Sequence, residues 1–132
     1  MRALFILLTV CAAFLVASCS QKKPSKPQPR IEFAQGDIDL GDVAVSDAKF
    51  VCDLEFKNVG DDTLRIKTVL ASCNCMVAED PSQKVAKGET GHLTVRLDFT
   101  KYNPGPIERT ITVFSNAVDS SEYEIFFHCN LH

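Results

Sequence analysis

From Phe50 to Lys57 the chain alternates: Phe50, Cys52, Leu54 and Phe56 fall on one side, and Asp53, Glu55 and Lys57 on the other. A period of two marks a strand with one face on a core. His92 to Phe99 repeats the pattern, with Leu93, Val95, Leu97 and Phe99 inward against Thr94, Arg96 and Asp98. Ile111 and Val113 alternate with Thr110, Thr112 and Phe114, and Tyr123, Ile125, Phe127, Cys129 and Leu131 share one side of the last stretch. Shorter apolar runs predict strands at 31–33, 38–45, 64–69 and 76–77. Turn formers separate them, at 58–62, 87–91, 103–106 and 115–116. No window offers a helical stripe. Seven or eight strands in about a hundred residues predict an all-β fold, a single antiparallel immunoglobulin-like β-sandwich, with a small barrel as the alternative. The absence of Trp argues against an antibody-type core.

The opening residues follow another logic. Met1-Arg2 supplies one positive charge, Ala3 to Leu15 is almost unbroken apolar sequence, and Val16-Ala17-Ser18 are small residues before Cys19. That order reads as an export signal, and the apolar run is short of the ~20 residues that span a bilayer. Val16-Ala17-Ser18-Cys19 resembles the lipobox of bacterial lipoproteins, which implies that Cys19 becomes the lipidated first residue; a cleaved signal with an incidental cysteine, or a short anchor, are the alternatives. Residues 20–30, SQKKPSKPQPR, hold three of the six prolines and no core former. They predict an extended tether reaching roughly 30 Å. The expected organisation is a signal at 1–18, a lipidated cysteine and tether at 19–30, and the β domain at 31–132.

Charge sharpens this division. The chain carries 14 Lys and Arg against 17 Asp and Glu, and residues 31–132 hold nine of the former and all of the latter, a balance of −8. The tether's Lys22, Lys23, Lys26 and Arg30 either lie against anionic head groups or simply keep it solvated. An acidic domain excludes nucleic acid as the default partner. The basic residues after Cys19 lack the acidic cluster that resembles a surface-export signal in some gut bacteria, so a periplasm-facing lipoprotein in the bacterial envelope is expected.

Asn58-x-Gly60, Leu64-x-Ile66, Ser72-Cys73-x-Cys75, Gly88-Glu89 and Ser115-Asn116 resemble the bacterial domain-of-unknown-function family fifteen-seventy-three, over roughly Phe50 to Leu131. The resemblance implies an exported immunoglobulin-like sandwich similar to the major sperm protein and PapD type. It implies no molecular activity. Ser-Cys-x-Cys is its most specific piece. Two positions depart from the family pattern, Asn74 where Gly is usual and Met76 where Thr is usual.

Six cysteines have three destinations. Cys11 leaves with the signal and Cys19 takes lipid, so Cys52, Cys73, Cys75 and Cys129 remain, with three possible pairings in an oxidising compartment. Cys52 and Cys129 fall on inward registers. They are candidates for a structural disulfide closing 77 residues, worth about 4 kcal/mol in the chain-entropy picture, or for two inert buried thiols. Cys73 and Cys75 are the candidate chemical pair. Residues i and i+2 of a strand lie about 6.5–7 Å apart, so a bond between them needs a turn at Asn74, a residue type that tolerates left-handed backbone. Three readings stand: a redox-labile disulfide, a pair of thiolates for a soft metal such as Cu(I) or Zn, or a structural staple to the loop or to Cys52 and Cys129.

The remaining chemistry is sparse. His92, His128 and His132 are expected on outward registers or at a fraying terminus, and CxC is not the usual spacing of zinc ligands. No phosphate loop or nucleophile elbow is present, and no cofactor or catalytic residue is expected. Phe114 and Phe126 fall on the outward faces of two strands expected to form a hairpin. They make either a cross-strand pair or a surface patch for a partner. The function expected is a lipid-anchored, non-enzymatic envelope module binding another envelope protein or a glycan. The alternative is a thiol-redox or metal-handling lipoprotein acting through Cys73 and Cys75.

Overall fold

The computed structural model describes residues 26–132. The expected signal, Cys11, the Cys19 expected to carry lipid, and most of the expected tether lie outside the described residues. Among the described residues, no helix is long and apolar enough to cross a membrane.

Among the described residues nine strands form: β1 Ile31–Phe33, β2 Asp37–Val43, β3 Lys49–Asn58, β4 Leu64–Ala71, β5 Met76–Glu79, β6 Lys84–Val85, β7 Thr90–Asp98, β8 Gly105–Ser115 and β9 Glu122–Leu131. They make two sheets, β1-β3-β7-β5 and β2-β9-β8-β4-β6. Both contribute to one core, in which Phe56, Leu93 and Val95 of the first sheet and Ile111, Ile125 and Phe127 of the second are essentially inaccessible. These are the inward positions of the period-2 pattern. Burying each such side chain stabilises by about 1.5–3 kcal/mol, which is why the alternation determines which face of each strand turns in.

Three expectations change. The strand count is nine, because two-residue β6 pairs Leu64 with Val85 and Arg65 with Lys84, a contact too short to leave a pattern. All pairings are antiparallel except one, since β2 runs parallel to β9, with Asp37 beside Phe126 and Val43 beside Leu131. The region expected as a strand at 110–114 begins at Gly105. Pro106 is tolerated there because β4 covers only Ile111 to Ser115, so the missing N–H faces no β4 partner.

The ladder directions give the body two distinct ends. Asn58 at the end of β3 lies beside Ile31, and Lys57 lies beside Thr90, so β1 and β7 start at that end. β8 finishes there and β9 begins there. The opposite end collects the β4–β5 loop at 72–75, the β7–β8 loop at 99–104, residues 44–48 and the C-terminus. There the Val45 amide donates to the His132 carbonyl (3.0 Å) and the Phe99 amide to the Ala48 carbonyl (2.8 Å). His132 is therefore tied by its backbone, and the fraying expected of it is confined to an exposed side chain.

Candidate functional site

The first end is closed by polar side chains. Asn58 is fully buried. Its Nδ2 donates to the carbonyls of Asp62 (2.7 Å) and Val85 (3.0 Å), and its Oδ1 accepts from the Gly60 amide (3.1 Å). The segment leading into β1 is part of this knot. Asp61 N donates to the Gln28 carbonyl (2.7 Å), Val59 N to that of Arg30 (3.1 Å), and Val118 N to that of buried Pro29 (3.1 Å). Gly60 is required by close approach. A Cβ there would run into the Gln28 carbonyl and Arg30 nitrogen and come within 2.7 Å of the Pro29 carbonyl carbon. The last three residues of the segment expected as an extended tether, 28–30, are thus held against the β domain.

Other residues that carried the family resemblance do similar work. Asn116 accepts from the Arg65 amide (2.7 Å) and donates to the Thr63 carbonyl (3.1 Å), bridging the irregular start of β4. Ser115 Oγ accepts from the Ala117 amide (3.1 Å). Gly88 adopts φ +77°, which only glycine takes freely. Their polarity is consumed by backbone satisfaction. One exposed ion pair joins this end, Lys87 Nζ to Asp61 Oδ1 at 2.7 Å, and it holds the Asp61 carboxyl below the usual range.

The opposite end holds the Cys73–Cys75 disulfide, with Cα atoms 5.2 Å apart. A regular strand would leave them too distant. The chain turns through Asn74 and Cys75 between β4 and β5, and both ends of the turn are fastened. The Ser72 amide donates to the Thr110 carbonyl (2.9 Å), while Ser72 Oγ accepts from the Thr110 amide (3.0 Å). On the other side Asp98 N donates to the Cys75 carbonyl (2.8 Å). Asn74 does not use the left-handed backbone its residue type allows. Among the described residues, the non-glycine residue with positive φ is Asp80, at 45°. The bond closes a loop of two-residue separation, worth only about 1.5 kcal/mol in the chain-entropy picture. It is a modest staple.

Both cysteines are partly buried and line open grooves. Cys75 borders a groove of about 270 Å³ on the outward face of the first sheet, walled by Val51, Val77, Lys49, Arg96 and Asp98. It also borders a hollow of about 400 Å³ with Asp98, Lys101 and Tyr102. Cys73 borders a third groove, of about 390 Å³, between β4 and β5, lined by Val69, Leu70, Met76 and Val77. Val51, Val77 and Leu70 are 61%, 59% and 57% exposed, large apolar side chains that no neighbour covers among the described residues. Lys49 pairs with Asp98 at 3.4 Å and Arg96 with Glu79. Hydrogen bonds from Thr100, chiefly its hydroxyl (2.6 Å), with help from Lys49, keep the Asp98 carboxyl low.

The other candidates are not drawn into this site. Cys52 and Cys129 are free thiols, so the bond considered between them is not made. Cys52 pairs across to Val95 in one sheet and Cys129 to Ile107 in the other. Packed sheets stand about 10 Å apart, beyond disulfide reach. Burial raises both thiol pKa values; for Cys129 Asp39 adds to the rise and Arg109 opposes it. His128 Nε2 contacts Asp37 Oδ1 at 3.0 Å and His92 Nδ1 contacts Asp53 Oδ2 at 3.0 Å, and neither lines a groove beside the disulfide. Among the described residues, no group of three or more His, Cys, Asp or Glu stands together to hold a metal ion. Phe114 and Phe126 sit on hairpin partners as expected, yet Phe114 faces Glu122 and Phe126 faces Thr110, so they form no cross-strand pair. Phe126 instead stacks on His128, ring centres 6.4 Å apart. The apolar surface at Val51, Leu70 and Val77 was missed. Its signal was present, since β5 reads as an unalternated apolar start, but only the fold shows that β5 is an edge.

These features define a small two-sheet β domain with one hydrogen-bonded end and one disulfide-bearing, apolar end. The chain belongs to the family described as protein of unknown function (DUF1573), whose model matches residues 31–129. No curated protein matches it. It is similar to a protein of unknown function from Porphyromonas gingivalis W83, with TM-score 0.68, 18% identity, and 78% of this chain against 47% of that one. It is also similar to the periplasmic chaperone SfaE, with TM-score 0.59, 10% identity, and 77% against 58%. The ASH/PapD-like domain 7 of human CEP192 aligns with TM-score 0.58 and 10% identity over 89% of this chain and 95% of that domain. The chain spans about half the length of the first two. These likenesses concern the fold.

Proposed function

We propose that this chain is a lipid-anchored bacterial envelope protein, an immunoglobulin-like sandwich facing the periplasm, that binds another envelope protein without catalysing a reaction. The observation that carries the reading is the separation of the two ends. Residues 28–30 enter at the hydrogen-bonded end, while the exposed Val51, Leu70 and Val77 cluster at the other. A domain tethered through acylated Cys19 therefore presents its apolar grooves away from the bilayer. Apolar grooves beside an edge strand suit a protein segment better than a polyhydroxylated glycan. Likeness to a periplasmic chaperone agrees with this.

Photo-cross-linkers placed at Val77 and at Val118, which is exposed at the tethered end, test it in intact envelopes. The expected outcome is one defined protein adduct from position 77 and none from 118; equal adducts from both, or lipid alone, would sink the reading. Incorporation of labelled acyl chain, lost in Cys19→Ser, checks the anchor. A second reading, thiol-redox activity, is favoured by one observation: Cys73 and Cys75 are bonded to each other, while Cys52 and Cys129 stay free.

A further inference from the structure

We infer that the Cys73–Cys75 bond is a thiol–disulfide exchange site for an extended, cysteine-bearing segment of another protein, with Cys73 the sulfur attacked and Cys75 the sulfur that leaves. The inference rests on the redox reading and gives it a direction and a substrate class. The two sulfurs face different surroundings. The grooves on the Cys75 side carry Lys49, Arg96 and Lys101 against Asp98, with Glu79 engaged to Arg96. The groove on the Cys73 side is walled by Val69, Leu70, Met76 and Val77 and carries no charged side chain. A departing thiolate is stabilised by nearby cations, and the better leaving group is the one whose thiolate is favoured. Cys75 therefore leaves, and the partner's sulfur is captured at Cys73.

The same groove describes the partner. Among the described residues, β5 is the edge of its sheet, hydrogen-bonded only to β7, and β6 covers β4 only at Leu64 and Arg65. The groove between β4 and β5 is thus flanked by two strand edges with backbone groups to offer, and its apolar lining receives aliphatic side chains. An extended segment with apolar residues flanking its cysteine fits both. In the first step the partner thiolate attacks Cys73 Sγ, the Cys73–Cys75 bond breaks, and its electron pair departs on Cys75 Sγ, which takes a proton from water. A second partner thiol then attacks the partner sulfur of the mixed disulfide and releases Cys73. The partner dithiol loses two electrons and two protons and becomes a disulfide; Cys73 and Cys75 become two thiols.

The test uses the full chain and two synthetic pentapeptide thiols, one with Leu and Val beside the cysteine and one with Glu and Gln. Rapid acid quenching and mass-spectrometric mapping locate the mixed disulfide at the earliest times. The expected result is about tenfold more adduct on Cys73 than on Cys75, and about fivefold faster reaction of the apolar peptide. Cys75→Ser should accumulate a lasting adduct with the same peptide supplied as its disulfide, and Leu70→Ser, a change confined to the Cys73 groove, should slow the apolar peptide alone. Adduct on Cys75, or no preference between peptides, overturns the direction or the substrate class while exchange itself stands. No adduct with either peptide overturns the redox reading with it.

Discussion

The two ends of this β body solve the same problem by opposite means. At the end where residues 28–30 enter, buried Asn58 and Asn116 satisfy backbone groups of the β3–β4 loop, β4 and β6, and Gly60 lets the incoming chain pass close. At the other end a covalent bond of two-residue separation and the two hydrogen bonds of Ser72 hold a loop whose neighbours on the Cys73 side stay apolar and open. A buried hydrogen-bond network is rigid and loses much when one member is removed. A short disulfide loop contributes little to stability and leaves surface free. The difference teaches where to look for function: at the end whose side chains are not consumed in holding the fold.

The largest effect that would test this contrast is Asn58→Ala. It orphans the buried Val85 carbonyl and Gly60 amide and the part-buried Asp62 carbonyl, and about 3 kcal/mol of stability should be lost in urea unfolding. Loss below about 1 kcal/mol would erase the contrast. Gly91→Ala comes next, because its methyl would meet the Phe56 ring, whose Cε2 lies 2.8 Å away, and Val85 Cγ2 at 2.9 Å. Overpacking of that kind costs about 2 kcal/mol. The double variant Cys73→Ser, Cys75→Ser should cost about 1.5 kcal/mol or less, half the Asn58 effect, in the same denaturant titration. Val51→Ser should change stability by no more than about 0.5 kcal/mol while weakening the photo-adduct formed from position 77.

The smallest effect is electrostatic and touches both ends. Asp61 and Asp98 are held below their ordinary pKa, the first by Lys87 and the second by Thr100. A depressed carboxyl contributes stability that is present above its unfolded value, about 3.9, and is lost as pH falls through the folded value. Both groups are fully exposed, so acid unfolding should show a slight inflection below about pH 4 that Asp61→Asn and Asp98→Asn each reduce. An acid limb unchanged in both variants would show that these pairs matter to neither end. The raised thiols act in the other direction: Cys52 and Cys129 favour the folded state below the unfolded thiol pKa, and that contribution is lost as pH rises through their folded values.

The strands were legible where one face is apolar and the other charged. Phe50 to Lys57 and His92 to Phe99 differ from β3 and β7 by a residue or two at their ends. β6 and the first half of β8 were not legible, because Lys84-Val85 is too short for a period and Pro106, Glu108 and Arg109 read as loop. Cys73 and Cys75 stood out by spacing and are brought together by a turn that spacing alone does not require. Asn58-x-Gly60 stood out as a turn, but nothing local announces that it would grip Gln28 to Arg30.

What residue order alone determined is which side of each strand meets the core, since burial of Phe56, Leu93, Ile125 and Phe127 is worth far more than any surface contact. Partner choice between strands depends on loop paths and on the whole set of competing pairings. Only the tertiary structure decided that β2 runs parallel to β9 and that β5 is left as an edge. The same long-range geometry put Cys52 and Cys129 in different sheets and set the disulfide at the end opposite the incoming chain, because distances between elements are not encoded in any one of them.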